Sequence, residues 1–251
     1  GVKVLGVKAA QDGAAQDYYS SPVIVEKNGL RLGLLGYSYE HEQYYQQQPL
    51  YAVGDRELIL RDLSRLKSEV DFVIVSMHWG LEYMTYPSQG MVELAHELID
   101  AGCDVILGHH PHVLQGTERY GDGVIAYSLG NFVFDKMWWS DCLPTAVAKL
   151  TFITGSVRRV ELKMVPLKIN REFQPVPQSG DDAVAANRML SDLDGKVYRD
   201  FETKGLSYLK RQKIKLQFLN ISKMWHILTN IFRYESHIRS HLLLKKVLRL
   251  P

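Results

Sequence analysis

Asp71-Phe72-Val73-Ile74-Val75-Ser76-Met77 is the stretch whose reading decides the fold. It is an almost unbroken apolar run rich in β-branched residues, as a strand covered on both faces requires. Met91, Leu94, Ala95, Leu98 and Ile99 follow on one helical stripe, and Gly102 closes it as a candidate C′ residue. Asp104-Val105-Ile106-Leu107 is then a second buried strand. Strand, helix and strand in this order predict a right-handed crossover joining two parallel strands. Parallel strands end at the same sheet edge. His78, just after the first strand, and Gly108-His109-His110-Pro111-His112, just after the second, are therefore predicted to meet.

Outward from this unit, Val23–Val25 and Leu30–Tyr37 read as a hairpin turning at Lys27-Asn28-Gly29. Ser38–Tyr51 has loop composition. Gly54–Leu66 reads as a helix with Leu58, Ile59, Leu63 and Leu66 at helical spacing. Gly123–Tyr127 is a short strand, and Thr145–Ile153 and Val157–Ile169 form an antiparallel pair joined at Thr154-Gly155-Ser156. Arg171–Asp181, with Pro175, Pro177 and Gly180, is the best linker candidate, and beyond it the pattern is helical. The expected organisation is a domain over 1–170, a linker over 171–195 and a basic helical extension over 196–251.

The 251 residues are 46% hydrophobic and 23% charged, values of an ordinary globular chain rather than a disordered or polytopic membrane one. Two cysteines, Cys103 and Cys142, are too few for a disulfide framework. The net charge of +2 hides an asymmetry: residues 196–251 carry 13 Lys/Arg against 3 Asp/Glu, leaving the first 195 residues with 17 against 25. Such a split suggests two segments with different jobs. Ser207–Leu250 interleaves basic with apolar residues, and a membrane-binding face and a helical hairpin that buries its stripe are both compatible with it. No nucleic-acid-binding motif accompanies the charge, so no nucleic acid is expected.

The chemistry concentrates at the predicted edge. Imidazole is the commonest metal ligand near neutral pH because its neutral form binds without a costly deprotonation. In an extended loop, residues two apart face the same way. His110 and His112 are thus expected to share a ligand while His109 points elsewhere. Trp79 and Phe132 are expected to shape the rim, with Trp79 and Glu82 as substrate-binding candidates. Tyr127-Ser128-Leu129-Gly130-Asn131-Phe132 follows the next strand. There Asn131 either offers its amide to an oxyanion or is a left-handed turn residue. Glu82 and Asp135 are candidate carboxylates that could ligate, orient a histidine or act as a base.

These motifs carry a resemblance. Val75-Ser76-Met77-His78-Trp79-Gly80-Leu81-Glu82-Tyr83, Gly102 through His112, and Tyr127 through Asp135 resemble, in that order, the bacterial capsule-biosynthesis CapA family, the poly-γ-glutamate synthesis proteins. The resemblance extends more weakly over about Gly1 to Leu167 and leaves out the basic segment. It implies a fold similar to calcineurin-like metallophosphoesterases: an α/β sandwich, here partial, with a parallel βαβ core and an antiparallel C-terminal hairpin. It implies His78, His110 and His112 as ligands of a divalent metal (Mn, Zn or Fe). His109 and Asn131 would steady developing charge. The N-terminal motifs that it also implies, a Gly-Asp start, an Asn-Leu-Glu and an Asn-Asn-His, are missing from the opening of the chain. Two hard cations close together need bridging anionic oxygens. The chain is therefore expected to be a piece of a longer protein with at most half a metal site.

Two functions follow as expectations. One is a metal-dependent hydrolase or transferase in capsule or poly-γ-glutamate production, acting on a phosphorylated substrate or an anionic polymer at the cell envelope or the extracytoplasmic face of a membrane. The other is a non-catalytic polymer-binding or assembly protein that works with membrane-bound capsule synthesis proteins, its basic segment holding the polyanion.

Overall fold

The computed structural model describes residues 3–6, 22–39, 52–134, 142–194 and 197. The hairpin is β1 (Val23–Lys27) and β2 (Leu30–Tyr39), paired antiparallel through a turn in which Asn28 (φ 54°) and Gly29 (φ 78°) are both left-handed. Asn and Gly tolerate that region best, which is why this dipeptide sets the register. β3 (Val53–Gly54) adds to the end of β2, and α1 (Arg56–Leu66) follows, capped by the Asp55 carboxylate accepting from Leu58 N–H.

The two strands of the crossover are parallel, as the sequence predicts. β4 (Phe72–His78), α2 (Gln89–Asp100) and β5 (Val105–His109) place β4 and β5 parallel, with Ile74 opposite Val105 and His78 opposite His109. All five predicted stripe residues of α2 are buried. Gly102 takes φ 108°, as the residue after the cap must. β7 (Gly123–Ala126) is parallel to β5, and β6 (Thr117–Tyr120), which the sequence reading missed, pairs antiparallel with β7. The large sheet runs β1-β2-β4-β5-β7-β6, with β3 attached to β2.

Strand alternation gives this sheet two apolar faces. Leu35, Tyr37, Val73, Val75, Met77, Ile106 and Ile125 pack with α1 and α2. Phe72, Ile74, Val105 and Val124 pack instead against Val160, Leu150, Phe152 and Leu162 of a second, three-stranded antiparallel sheet. That sheet is β8 (Pro144–Ile153), β9 (Arg159–Ile169) and β10 (Pro175–Pro177), in the order β10-β9-β8. The protein is thus a mixed α/β structure: helices, a mainly parallel sheet, and an antiparallel sheet.

The segment 171–195, expected to be a linker, carries β10 and α3 (Gly180–Asp194). Pro175 and Pro177 fit the edge position of β10, where no inward N–H is required. Leu190, Met189 and Leu193 of α3 pack on Leu114, Ala146 and Met164, and the Asp194 carboxylate accepts from the backbone N–H and hydroxyl of Thr117. The extension over 196–251, most of the 38–51 loop and Asp135 lie outside the described residues, apart from Val197, Ser38 and Tyr39. Among the described residues no helix is long and apolar enough to cross a membrane.

Candidate functional site

Three loops leave the carboxyl edge of the parallel strands and are laced together by main-chain bonds. Trp79 N–H donates to the His109 carbonyl (3.1 Å), Tyr83 N–H to the Pro111 carbonyl (2.7 Å), and Leu129 N–H to the Gly108 carbonyl (3.1 Å). Gly108 is required here. A Cβ at this position would fall inside the Tyr127 carbonyl and 2.6 Å from Trp79 Nε1. β5 can therefore lie flush against the next loop only with glycine at its end.

The lacing brings the predicted histidines together. The His78 and His110 rings lie 4.4 Å apart between centroids, and those of His110 and His112 lie 5.9 Å apart. His78 and His109 are cross-strand partners, so they share one face of the sheet. Tyr83 and Phe134 flank His112 at 5.8 and 4.9 Å. The His112 Nδ1 is 2.8 Å from Asn131 Oδ1, and its Nε2 is 3.9 Å from Glu82 Oε1.

The reason for the convergence differs from the one expected. The histidine loop is not extended: His110 (φ 96°) and His112 (φ 60°) occupy the left-handed region, as does Tyr83 (φ 62°) in the loop after β4. For residues with a β-carbon this is strained by about 1–3 kcal/mol each. Their rings meet because surrounding contacts hold the backbone in a coiled path, not because alternate residues face the same way.

Trp79 does not shape a rim or meet a substrate: it is 1% exposed, donates its indole N–H to the Tyr127 carbonyl (3.0 Å) and stacks on the Tyr127 ring. The exposed apolar groups beside the site are Leu81, Phe132 and Val133 instead. Asn131 is not a left-handed turn residue, because Gly130 takes that conformation at φ 73°. Its Nδ2 is buried and lacks a hydrogen-bond partner among the described residues.

Burial lowers the pKa of His109 below the ordinary histidine value, and the neighbouring His78 lowers it further. Burial and His112 depress His110 in the same way, with Glu82 opposing them. Both imidazoles are therefore neutral near pH 7, able to offer a lone pair to a cation or a proton donor.

As a metal centre the described residues are incomplete. No group of three or more His, Cys, Asp or Glu side chains among them is arranged to hold a metal ion. The cluster supplies imidazoles, with Glu82 as the carboxylate near His112. Hard cations in a dinuclear site require more anionic oxygen than this.

The sequence reading overlooked Gln115. It is 1% exposed, and its amide N–H donates to the Met84 carbonyl (2.8 Å), tying the Glu82 loop to the histidine loop. A polar side chain directly after the apolar Val113-Leu114 was the available signal. Tyr83, within the first motif, is the ring stacked on His112.

A mixed α/β fold whose strand-end loops gather four histidines and an asparagine defines this as a protein with a candidate ligand or catalytic edge. The chain belongs to the bacterial capsule synthesis protein PGA_cap family, whose model matches residues 1–136 and so takes in all three motifs that build the cluster. It is 38% identical over 193 residues to the capsule biosynthesis protein CapA of Bacillus anthracis, a match covering 72% of this chain and 45% of that protein. It is 40% identical over 114 residues to the PGA biosynthesis protein CapA of Bacillus subtilis strain 168, covering 44% of this chain and 30% of that one. The chain thus spans less than half the length of these relatives. Its similarity to the solved NAD nucleotidase of Haemophilus influenzae is 14% in sequence with a TM-score of 0.44, covering 76% of this chain and 41% of that one. A similarity at that level says nothing about activity.

Proposed function

We propose that this protein serves the production of an extracellular anionic polymer, a capsule or poly-γ-glutamate, and that its histidine edge is the working site. The observation that carries this reading is the coincidence of two facts. The family match spans the three motifs, and those motifs converge in space on His78, His109, His110 and His112. The names of the Bacillus relatives supply the polymer.

The finer reading is a metal-dependent hydrolase or transferase acting on a phosphorylated substrate or on the polymer itself. His78, His110 and His112 would be its imidazole donors to Mn, Zn or Fe. The described donor set does not fit a complete metal centre, so this reading needs donors from outside the described residues. The neutral imidazoles of His109 and His110 support a lone-pair role, as ligand or as base. Cell-envelope location and membrane-bound synthesis partners belong to the same proposal, as does contact of 207–250 with anionic lipid.

The charge of the C-terminal segment, 13 basic against 3 acidic residues, favours a second reading in which the protein holds the polyanion without cleaving it. One assay separates the two. The full-length gene product is incubated with a generic phosphodiester and Mn²⁺ or Zn²⁺, alone and as His110→Ala. Turnover that falls at least 100-fold in the variant supports the enzyme. Salt-sensitive retention of poly-γ-glutamate with no turnover supports the scaffold. Absence of both overturns the proposal.

A further inference from the structure

Asn131 is not the turn residue that its sequence context offered as one of two roles. Its backbone is not left-handed, because Gly130 carries the turn. Its amide nitrogen is buried and has no hydrogen-bond partner among the described residues. The residue is 6% exposed, and its Oδ1 lies 2.8 Å from His112 Nδ1. The turn that delivers it is fixed on several sides. Gly130 N–H donates to the Ser128 hydroxyl (3.3 Å), that hydroxyl donates to the Val113 carbonyl (2.7 Å), and the Leu129 carbonyl accepts from Thr145 Oγ1 (2.9 Å) and Ala146 N–H (3.2 Å). Asn131 thus sits on a braced support, with its carbonyl oxygen against one nitrogen of a histidine whose own backbone is strained.

A neutral imidazole carries one proton, and whichever nitrogen has the better acceptor keeps it. At His112 the Nδ1 has the Asn131 carbonyl at hydrogen-bond distance, whereas the Nε2 has Glu82 Oε1 at 3.9 Å, beyond it. We propose that Asn131 is a positioning residue that fixes the tautomer of His112, holding the proton on Nδ1 and leaving Nε2 as a bare lone pair on the Glu82 side of the cluster. His112 is then ready to accept a proton or a cation at Nε2 without first moving a proton. Orienting contacts of this kind commonly separate a working imidazole from an idle one.

The tautomer stands on this geometry alone. Its consequence for chemistry rests on the function proposed above. The two fail separately, because the tautomer is read in the absence of metal, substrate and turnover. The experiment is a long-range ¹H–¹⁵N correlation spectrum of the uniformly labelled full chain, at a pH where the ring is neutral. His112 is assigned by the signal lost in His112→Gln. The expected pattern is a protonated, pyrrole-type Nδ1 and an unprotonated, pyridine-type Nε2. Asn131→Asp, which can only accept, retains that pattern. Asn131→Ala loses it, and the two nitrogens shift toward the averaged positions of exchanging tautomers. A protonated Nε2 in the native protein overturns the proposal, as does a pattern unchanged in Asn131→Ala. If the alanine variant does not fold, the native protein and Asn131→Asp still decide, since a changed pattern in the aspartate variant counts equally against it.

Discussion

The two ends of β4 and β5 are built on opposite principles. At the amino end the buried charge is answered. The Asp104 carboxylate accepts from Val73 N–H (2.8 Å) and forms a two-pronged ion pair with Arg158, 2.6 Å and 2.8 Å. Arg158 also donates to the Asp71 carbonyl and lies over the Phe72 ring, 4.4 Å from its centroid. One side chain from the turn between β8 and β9 thus pins the small sheet to the start of the large one. At the carboxyl end the same strands open into left-handed Tyr83, His110 and His112, and Asn131 Nδ2 and Gln115 Oε1 are buried without partners among the described residues. Strained and unpaired residues are the kind that functional sites accumulate, and this makes the carboxyl edge the candidate site.

The comparison can be broken at either end. The largest effect is expected where carboxyl-edge geometry and packing coincide. Gly108→Ala would drive a methyl group into the Tyr127 carbonyl and the Trp79 indole, neither of which can give way without shifting a strand. A loss of about 3 kcal/mol is expected. Chemical denaturation would read it, and a loss under 1 kcal/mol would mean that the close approach is not a constraint.

Next in size is the amino-end clamp. Asp104→Asn removes the ion pair to the half-exposed Arg158 while leaving an acceptor for Val73 N–H. The expected cost is about 2 kcal/mol. The same denaturation series would give it, with any activity of the histidine edge in the folded fraction unchanged. A lost function at unchanged stability would erase the contrast between the ends.

The smallest stability effect is expected at the strained histidine loop. His112→Gly relieves a positive φ and deletes a side chain that is 21% exposed. Stability should stay within about 1 kcal/mol of the native protein, in either direction. Whatever function the histidine edge has should disappear. A destabilisation well beyond that would make His112 a packing residue and place both ends of the strands in one class.

Much of this was legible in the sequence. The apolar run from Phe72 and the five-residue stripe from Met91 announced β4, α2 and β5 because buried strands and amphipathic helices impose their periods on local composition. β6 escaped notice because Thr117-Glu118-Arg119-Tyr120 has polar residues at both parities, as a half-covered edge strand permits. The segment 171–195 read as a linker because prolines mark edges as well as loops. Trp79 read as a rim residue because a tryptophan after a histidine looks the same in sequence whether its ring turns outward or inward.

The sequence by itself determined that the histidines after β4 and β5 share an edge. A crossover between parallel strands allows no other arrangement, and the apolar pattern that specifies it is local. Only the tertiary structure decided what the rings do there. The left-handed turns at His110 and His112, the inward rotation of Trp79 and the grip of Asn131 on His112 are imposed by contacts between distant loops. Such contacts choose among backbone states that differ by a few kcal/mol, a difference that no local spacing of residues encodes.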